Sequence, residues 1–385
     1  MYTKRMTKNT IVLTGGGARA AYQAGVMRGL YEVVHEDKSL FEIITGTSAG
    51  AINAVYLAAN SSDWDIATHQ LWDLWAHLTP QDIFDLGALS IGKLGSKWLA
   101  GATFGGLAPK GSGVNHLLDT APLRRLLERE IDFNSLNKLI AAGQVQGFGV
   151  STTNYYSGST VVFHNTAKEM EDWARTDRFS VRTDITVEHI MASSAIPMFF
   201  PPEPIGESWY GDGCLRQTTP LSPAIHLGAE KIIAIGIRAP HPHERQRELA
   251  FNANRNPSIG QIAGVLMNAV FLDAMESDVE RLSRVNQTLY HLDRQKREDH
   301  FSALRPIPIL MLRPSQDLGA MTAQLGKRMP PMLSYLLKGI GVTGNEGLDL
   351  LSYLAFDKSY SLPLLDLGRQ DTLARADEIK AFLDF

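Results

Sequence analysis

Short apolar runs broken by glycine turns dominate the first part of the chain. Residues 10–14 (TIVLT) are apolar and β-branched, the pattern of a buried strand, and residues 41–45 (FEIIT) repeat it. Between them, residues 19–35 are rich in alanine with apolar positions at helical spacing, and 51–59 (AINAVYLAA) form a second helical stretch. Alternation of this kind predicts an α/β fold with a largely parallel sheet covered on both faces. Further strands are expected at 146–154, 160–165, 231–238 and 307–314. A helix should restart after Asp119 or Thr120, with Pro122 in its first turn, and another is expected over 259–282.

Two stretches break the pattern. From 80 to 115 the period dissolves into a glycine-rich run carrying Leu94, Trp98, Leu99 and Phe104, which suits either a lid or acyl surface or a covering over the core. At 239–248 apolar content falls and charge rises, which predicts a boundary. We therefore expect one domain over 10–240 and a mainly helical C-terminal extension over 241–385. The strand-like run at 307–314 implies that this extension packs on the first domain's sheet.

Composition narrows the function classes. The chain has 385 residues, 44% of them hydrophobic, which suffices for a large core, and its net charge of −4 argues against a nucleic-acid binder. With Cys214 as the only cysteine, no intrachain disulfide can form. The basic start MYTKRMTKNT leads into an apolar run that stops at glycines, unlike a signal-peptide core, and no stretch approaches the ~18 apolar residues of a membrane span. The expectation is a soluble, cytoplasmic protein, with transient contact at a membrane surface left open.

Three segments carry candidate chemistry. TGGGARAAYQAG (14–25) follows a strand and opens a helix, so its N–H groups could face an anion. Gly15, Gly17 and Ala20 satisfy the dinucleotide fingerprint G-x-G-x-x-G/A, but the acid that should end the second strand and hold a ribose is absent. In its place stands GTSAG, where Gly46 and Gly50 flank Ser48 in a G-x-S-x-G pattern between strand and helix. Ser48 there is either a nucleophile or a helix cap. WYGDG sets Asp212 between Gly211 and Gly213, as a carboxylate at a partly apolar turn or a solvated Asp-Gly turn. None of the late histidines, His226, His241, His243, His291 and His300, has a context that would present it to Ser48.

Taken in order, GGGAR, GTSAG and YGDG, with MASSAIPMFFPP (191–202), resemble the patatin-like phospholipase family over about 10–237. The tail looks like that of bacterial members with a C-terminal extension. This resemblance implies a three-layer α/β/α sandwich with a mostly parallel sheet. It also implies a serine acyl hydrolase acting on lipid or phospholipid esters without metal or organic cofactor. It implies Ser48 as nucleophile, Asp212 as base, and Gly15, Gly16 and Gly17 with Arg19 as the oxyanion loop. Ala20, Cys214, Thr218 and Thr219 depart from the family pattern. The alternatives are a dinucleotide-binding protein using the same loop and a catalytically silent lipid-binding member.

Overall fold

The computed structural model describes residues 8–85, 116–240, 259–271, 273–292, 304–322 and 348–385. Most of the glycine-rich stretch after residue 80, and the charged segment expected to mark a boundary, lie outside these residues.

The strands are β1 Asn9–Leu13, β2 Ile43–Thr47, β3 Gly147–Asn154, β4 Thr160–Thr166, β5 Arg178–Arg182, β6 Glu203–Ile205, β7 Ser208–Asp212, β8 Lys231–Ile235 and β9 Ile309–Leu312. Among the described residues they form one sheet in the order β5-β4-β3-β2-β1-β8-β9, with the β6–β7 hairpin joined to β3. The β9–β8–β1–β2–β3 run is parallel throughout, and β3 pairs antiparallel with β4. Alternation along the strands divides the core: Ile11 and Leu13 of β1 and Ile233 and Ile235 of β8 join the larger cluster. Val12, Ile232 and Ala234 turn to the opposite face. Helices cover both faces, giving the expected three layers.

The helices that bear on the site are α1 Ala21–Val34, α2 Ala49–Ala59, α3 Trp64–His77, α4 Ala121–Glu130, α5 Phe133–Ala141, α6 Val187–Ser193, α7 Ser222–His226, α8 Ile259–Phe271, α9 Asp273–His291, α10 Leu348–Leu354, α11 Lys358–Leu373 and α12 Ala376–Leu383. The helix expected to begin at Arg19 opens instead with a 3-10 turn, Gly17–Ala20, which the tight glycine loop imposes. The helix expected over 259–282 is described as α8 and α9, on either side of residue 272, and runs on to His291.

The C-terminal region is tied to the rest of the chain by a strand, a close helix pair and an ion pair, among other contacts. β9 extends the sheet beside β8. α11 lies along α1 so closely that a Cβ on Gly25 would fall 2.1 Å from the Leu365 carbonyl oxygen. Arg369 Nε donates to both Glu32 carboxylate oxygens at 2.9 and 2.8 Å.

Candidate active site

β2 runs two residues further than the apolar pattern suggested, so Gly46 and Thr47 are strand residues and Ser48 is the turn itself. Ser48 has φ 56° and ψ −133°, a conformation that costs a non-glycine residue ~1–3 kcal/mol and persists where its surroundings over-determine it. Those surroundings are specific. The Ser48 N–H donates to Ser193 Oγ at 2.9 Å, Ser194 Oγ donates to the Ser48 carbonyl at 3.2 Å, and Ser193 is anchored on the Ser151 carbonyl at 2.7 Å. A Cβ on Gly46 or Gly50 would meet backbone atoms at 2.6 or 2.4 Å, so α2 can lie against β1 and β2 only with glycine at both positions.

Strand register brings Asp212 to this serine. β2 occupies one edge of β3 as far as Thr47, opposite Ser151, and then leaves the sheet. From the next residue, Thr152, that edge is taken by β7, whose Asp212 is the partner of Thr152. Asp212 is fully buried, and its Oδ2 accepts the Ser48 hydroxyl at 2.6 Å while Oδ1 accepts the Cys214 N–H at 2.9 Å. Its backbone is pinned by Ala195 and Thr153. Burial pushes its ionisation up from 3.8 to about 7, against hydrogen bonds from Ser48 and from the Cys214 N–H and thiol that favour the carboxylate. A carboxylate poised there is a competent base near neutral pH. The same burial, with the neighbouring Asp212, drives the Cys214 thiol well above its ordinary range and keeps it neutral. Gly211 and Gly213 are packed under Tyr155 and against the Ser151 carbonyl, each at 2.2 Å from where a Cβ would stand.

The first glycine loop lies directly on this pair. A Cβ on Gly15 would sit 2.4 Å from Cys214 Sγ and 2.6 Å from Ser48 Cβ. Gly17 takes φ +56° with its missing Cβ 2.1 Å from the Tyr353 carbonyl oxygen, while Gly16 abuts Ile237. The loop therefore packs on the serine, where the dinucleotide reading needs room for a pyrophosphate. Arg19 is buried: its Nε donates to Ser352 Oγ at 2.6 Å, and its guanidinium lies 4.5 Å from the Tyr353 ring centroid.

A narrow cleft, partly open to solvent, adjoins Ser48. Its walls are apolar, with Ile52, Trp75, Leu126, Ile196, Phe200 and Phe356 among them. No histidine lines it among the described residues. His226 is instead stacked on Trp173, and burial, helped by Arg175 and Arg178, lowers its pKa to about 4.

A family model described as patatin-like phospholipase matches residues 11–225. The chain belongs to the patatin-like phospholipase family. Membership makes it a lipid hydrolase, with a lipid as substrate. No curated protein matches it. Among solved structures it is loosely similar to VipD from Legionella pneumophila, at 12% identity and TM-score 0.30 over 94% of this chain and 67% of that one. A loose similarity also extends to full-length ExoU, solved in complex with SpcU from the type III secretion system of Pseudomonas aeruginosa, at 16% identity and TM-score 0.29 over 97% of this chain and 77% of that one.

Several residues of this patatin-like phospholipase site carry no sequence signal of their own. Thr47 Oγ1 donates to Gln217 Oε1 at 2.6 Å and Gln217 Nε2 donates to Ser151 Oγ at 2.7 Å, stitching the end of β2 to the loop after Asp212. Gln23 holds the Thr14 carbonyl at 2.8 Å and so fixes the root of the glycine loop. Ser193 and Ser194 fall inside the MASSAIP segment, where resemblance marked the stretch but no role. No helix among the described residues is long and apolar enough to cross a membrane, and none of their His, Cys, Asp and Glu side chains cluster in a metal-binding group.

Proposed function

We propose that the chain hydrolyses acyl esters of lipids through a covalent Ser48 intermediate, with Asp212 as the base. The observation that carries this is the 2.6 Å hydrogen bond from Ser48 Oγ to a fully buried carboxylate beside an apolar cleft. Asp212 accepts the Ser48 proton as Oγ attacks the acyl carbonyl carbon, and the carbonyl electron pair moves onto oxygen. Backbone N–H groups of Gly16 and Gly17 in the glycine loop and of Ala49 at the start of α2 stabilise that oxygen. Collapse of the intermediate expels the alcohol, which takes the proton from Asp212, and leaves an acyl-serine. Water then attacks the acyl-serine while Asp212 again accepts a proton, and the fatty acid leaves as Ser48 regains its hydrogen.

The cleft walls receive the acyl chain, so the leaving group, whether phospholipid, lysophospholipid or another ester, is the freer part of the substrate. The fold then comprises a catalytic domain over 10–240 with the extension 241–385 docked on it. A fluorophosphonate probe should label the native protein at one serine, and Ser48→Ala should remove both labelling and ester hydrolysis. Undiminished labelling of Ser48→Ala would overturn the assignment.

A further inference from the structure

The family match ends at residue 225, yet the site does not. Nine residues of the C-terminal region, 348–356, touch it at three points. The Tyr353 backbone bears on Gly17, Ser352 and the Tyr353 ring hold Arg19, and Phe356 is a wall of the cleft beside Ser48.

Phe356 is held by two aromatic neighbours. Its ring stacks on Trp75 at 6.3 Å and 22°, and Phe84 meets it edge-on at 6.2 Å while also contacting Phe200. Trp75 is fixed in turn by its indole N–H on Asn53 Oδ1 at 2.7 Å. Behind Phe356, Asp357 caps α11, which is bound along α1, so the backbone that carries the ring is anchored within two residues. α10 is braced from its other side by Tyr353 Oη on Asn268 of α8 at 2.9 Å. A rigid aromatic wall in an apolar cleft discriminates chain length by steric fit rather than by polar contact.

We propose that Phe356 determines which acyl chains the enzyme accepts, so that selectivity resides in the C-terminal region while the reacting groups reside in the family domain. The proposal rests on the reading of Ser48 as nucleophile and the cleft as acyl site. Phe356→Ala should shift the ratio of kcat/KM for p-nitrophenyl palmitate over p-nitrophenyl octanoate by about tenfold or more toward the longer chain. Phe356→Leu, which keeps much of the volume, should move it in the same direction by less. Diisopropyl fluorophosphate, which carries no acyl chain, should still label Ser48 in both variants, which reports an intact nucleophile whatever the rate.

A ratio unchanged in Phe356→Leu and Phe356→Ala, with labelling intact, would overturn the proposal and leave Ser48's role standing. Hydrolysis that survives Ser48→Ala would instead remove the reading beneath it. Should Phe356→Ala fail to fold, the Leu variant alone decides.

Discussion

Replacing Asp212 by asparagine should abolish hydrolysis and, at alkaline pH, make the protein more stable. Asparagine has the same shape: its oxygen can still accept the Cys214 N–H, and its amide can donate to Ser48 Oγ, so the packing is retained. What disappears is a buried charge. A carboxyl that ionises near 7 in the folded chain instead of 3.8 weakens folding by up to ~4 kcal/mol once fully ionised, at ~1.4 kcal/mol per pH unit. The direction follows from proton counting. Between those two values the folded chain binds the proton more tightly than the unfolded chain, so stability falls as pH rises through that window and levels off above it.

From about pH 5 to about pH 8.5 the wild type should therefore lose ~3 kcal/mol relative to Asp212→Asn, a large share of the ~5–15 kcal/mol that holds a typical domain folded. Titrations elsewhere occur in both proteins and cancel in the difference. Urea unfolding followed by tryptophan fluorescence across that range, with both proteins in the same buffers, measures it. Parallel stability curves would refute the claim that burial raises Asp212, and a variant that still hydrolysed esters would refute its role as base.

The ionisation of Asp212 also governs rate. The kcat/KM of the wild type should rise with pH along an acid limb centred near 7, because the base must be deprotonated. Cys214→Ala removes a thiol hydrogen bond that favours the carboxylate, and should move that limb to higher pH; a limb unmoved would mean the thiol does not bear on Asp212. Gly15→Ala puts a methyl group where Ser48 Cβ and Cys214 Sγ already stand, so kcat should fall by two or more orders of magnitude while circular dichroism stays native. Near-native turnover in that variant would show that the loop does not need to lie against the serine.

The α/β alternation was legible because β1, β2, β4, β8 and β9 are largely apolar runs bounded by turn residues, and such runs bury themselves in any arrangement. β5, β6 and β7 were not read as strands. RFSVR and SWYGD each mix charge with apolar positions and gain their sheet partners only from tertiary placement. Asp212 shows the cost of that gap: local composition left a partly apolar turn and a solvated one both open, whereas β7 places the residue wholly out of solvent. The turn at Ser48 was recognisable from small residues around a strand end, but the clamps on it, Ser193 and Ser194, lie 145 and 146 residues away. Arg19 was expected with the oxyanion loop by resemblance alone, and only the structure turns its guanidinium to Ser352, 333 residues on. Phe356 sat unmarked in a Leu-rich tail, since nothing local distinguishes a ring that lines a cleft from one that fills a core. Leu94, Trp98, Leu99 and Phe104, which suit a lid, an acyl surface or a core covering, lie outside the described residues.

The edge of β3 that β2 gives up after Thr47 has a meaning beyond geometry. A slip of one residue between β7 and β3 would turn every β7 side chain to the opposite face and set a glycine, Gly211 or Gly213, where the carboxylate belongs. Such a chain could keep nearly all its secondary structure and most of its core while lacking a base altogether. Serine reactivity is therefore a gauge of registration. In a refolding or expression experiment, the fraction of molecules labelled at Ser48 would count those whose β7 hairpin had closed in the right frame, a defect that spectroscopic measures of folding average away.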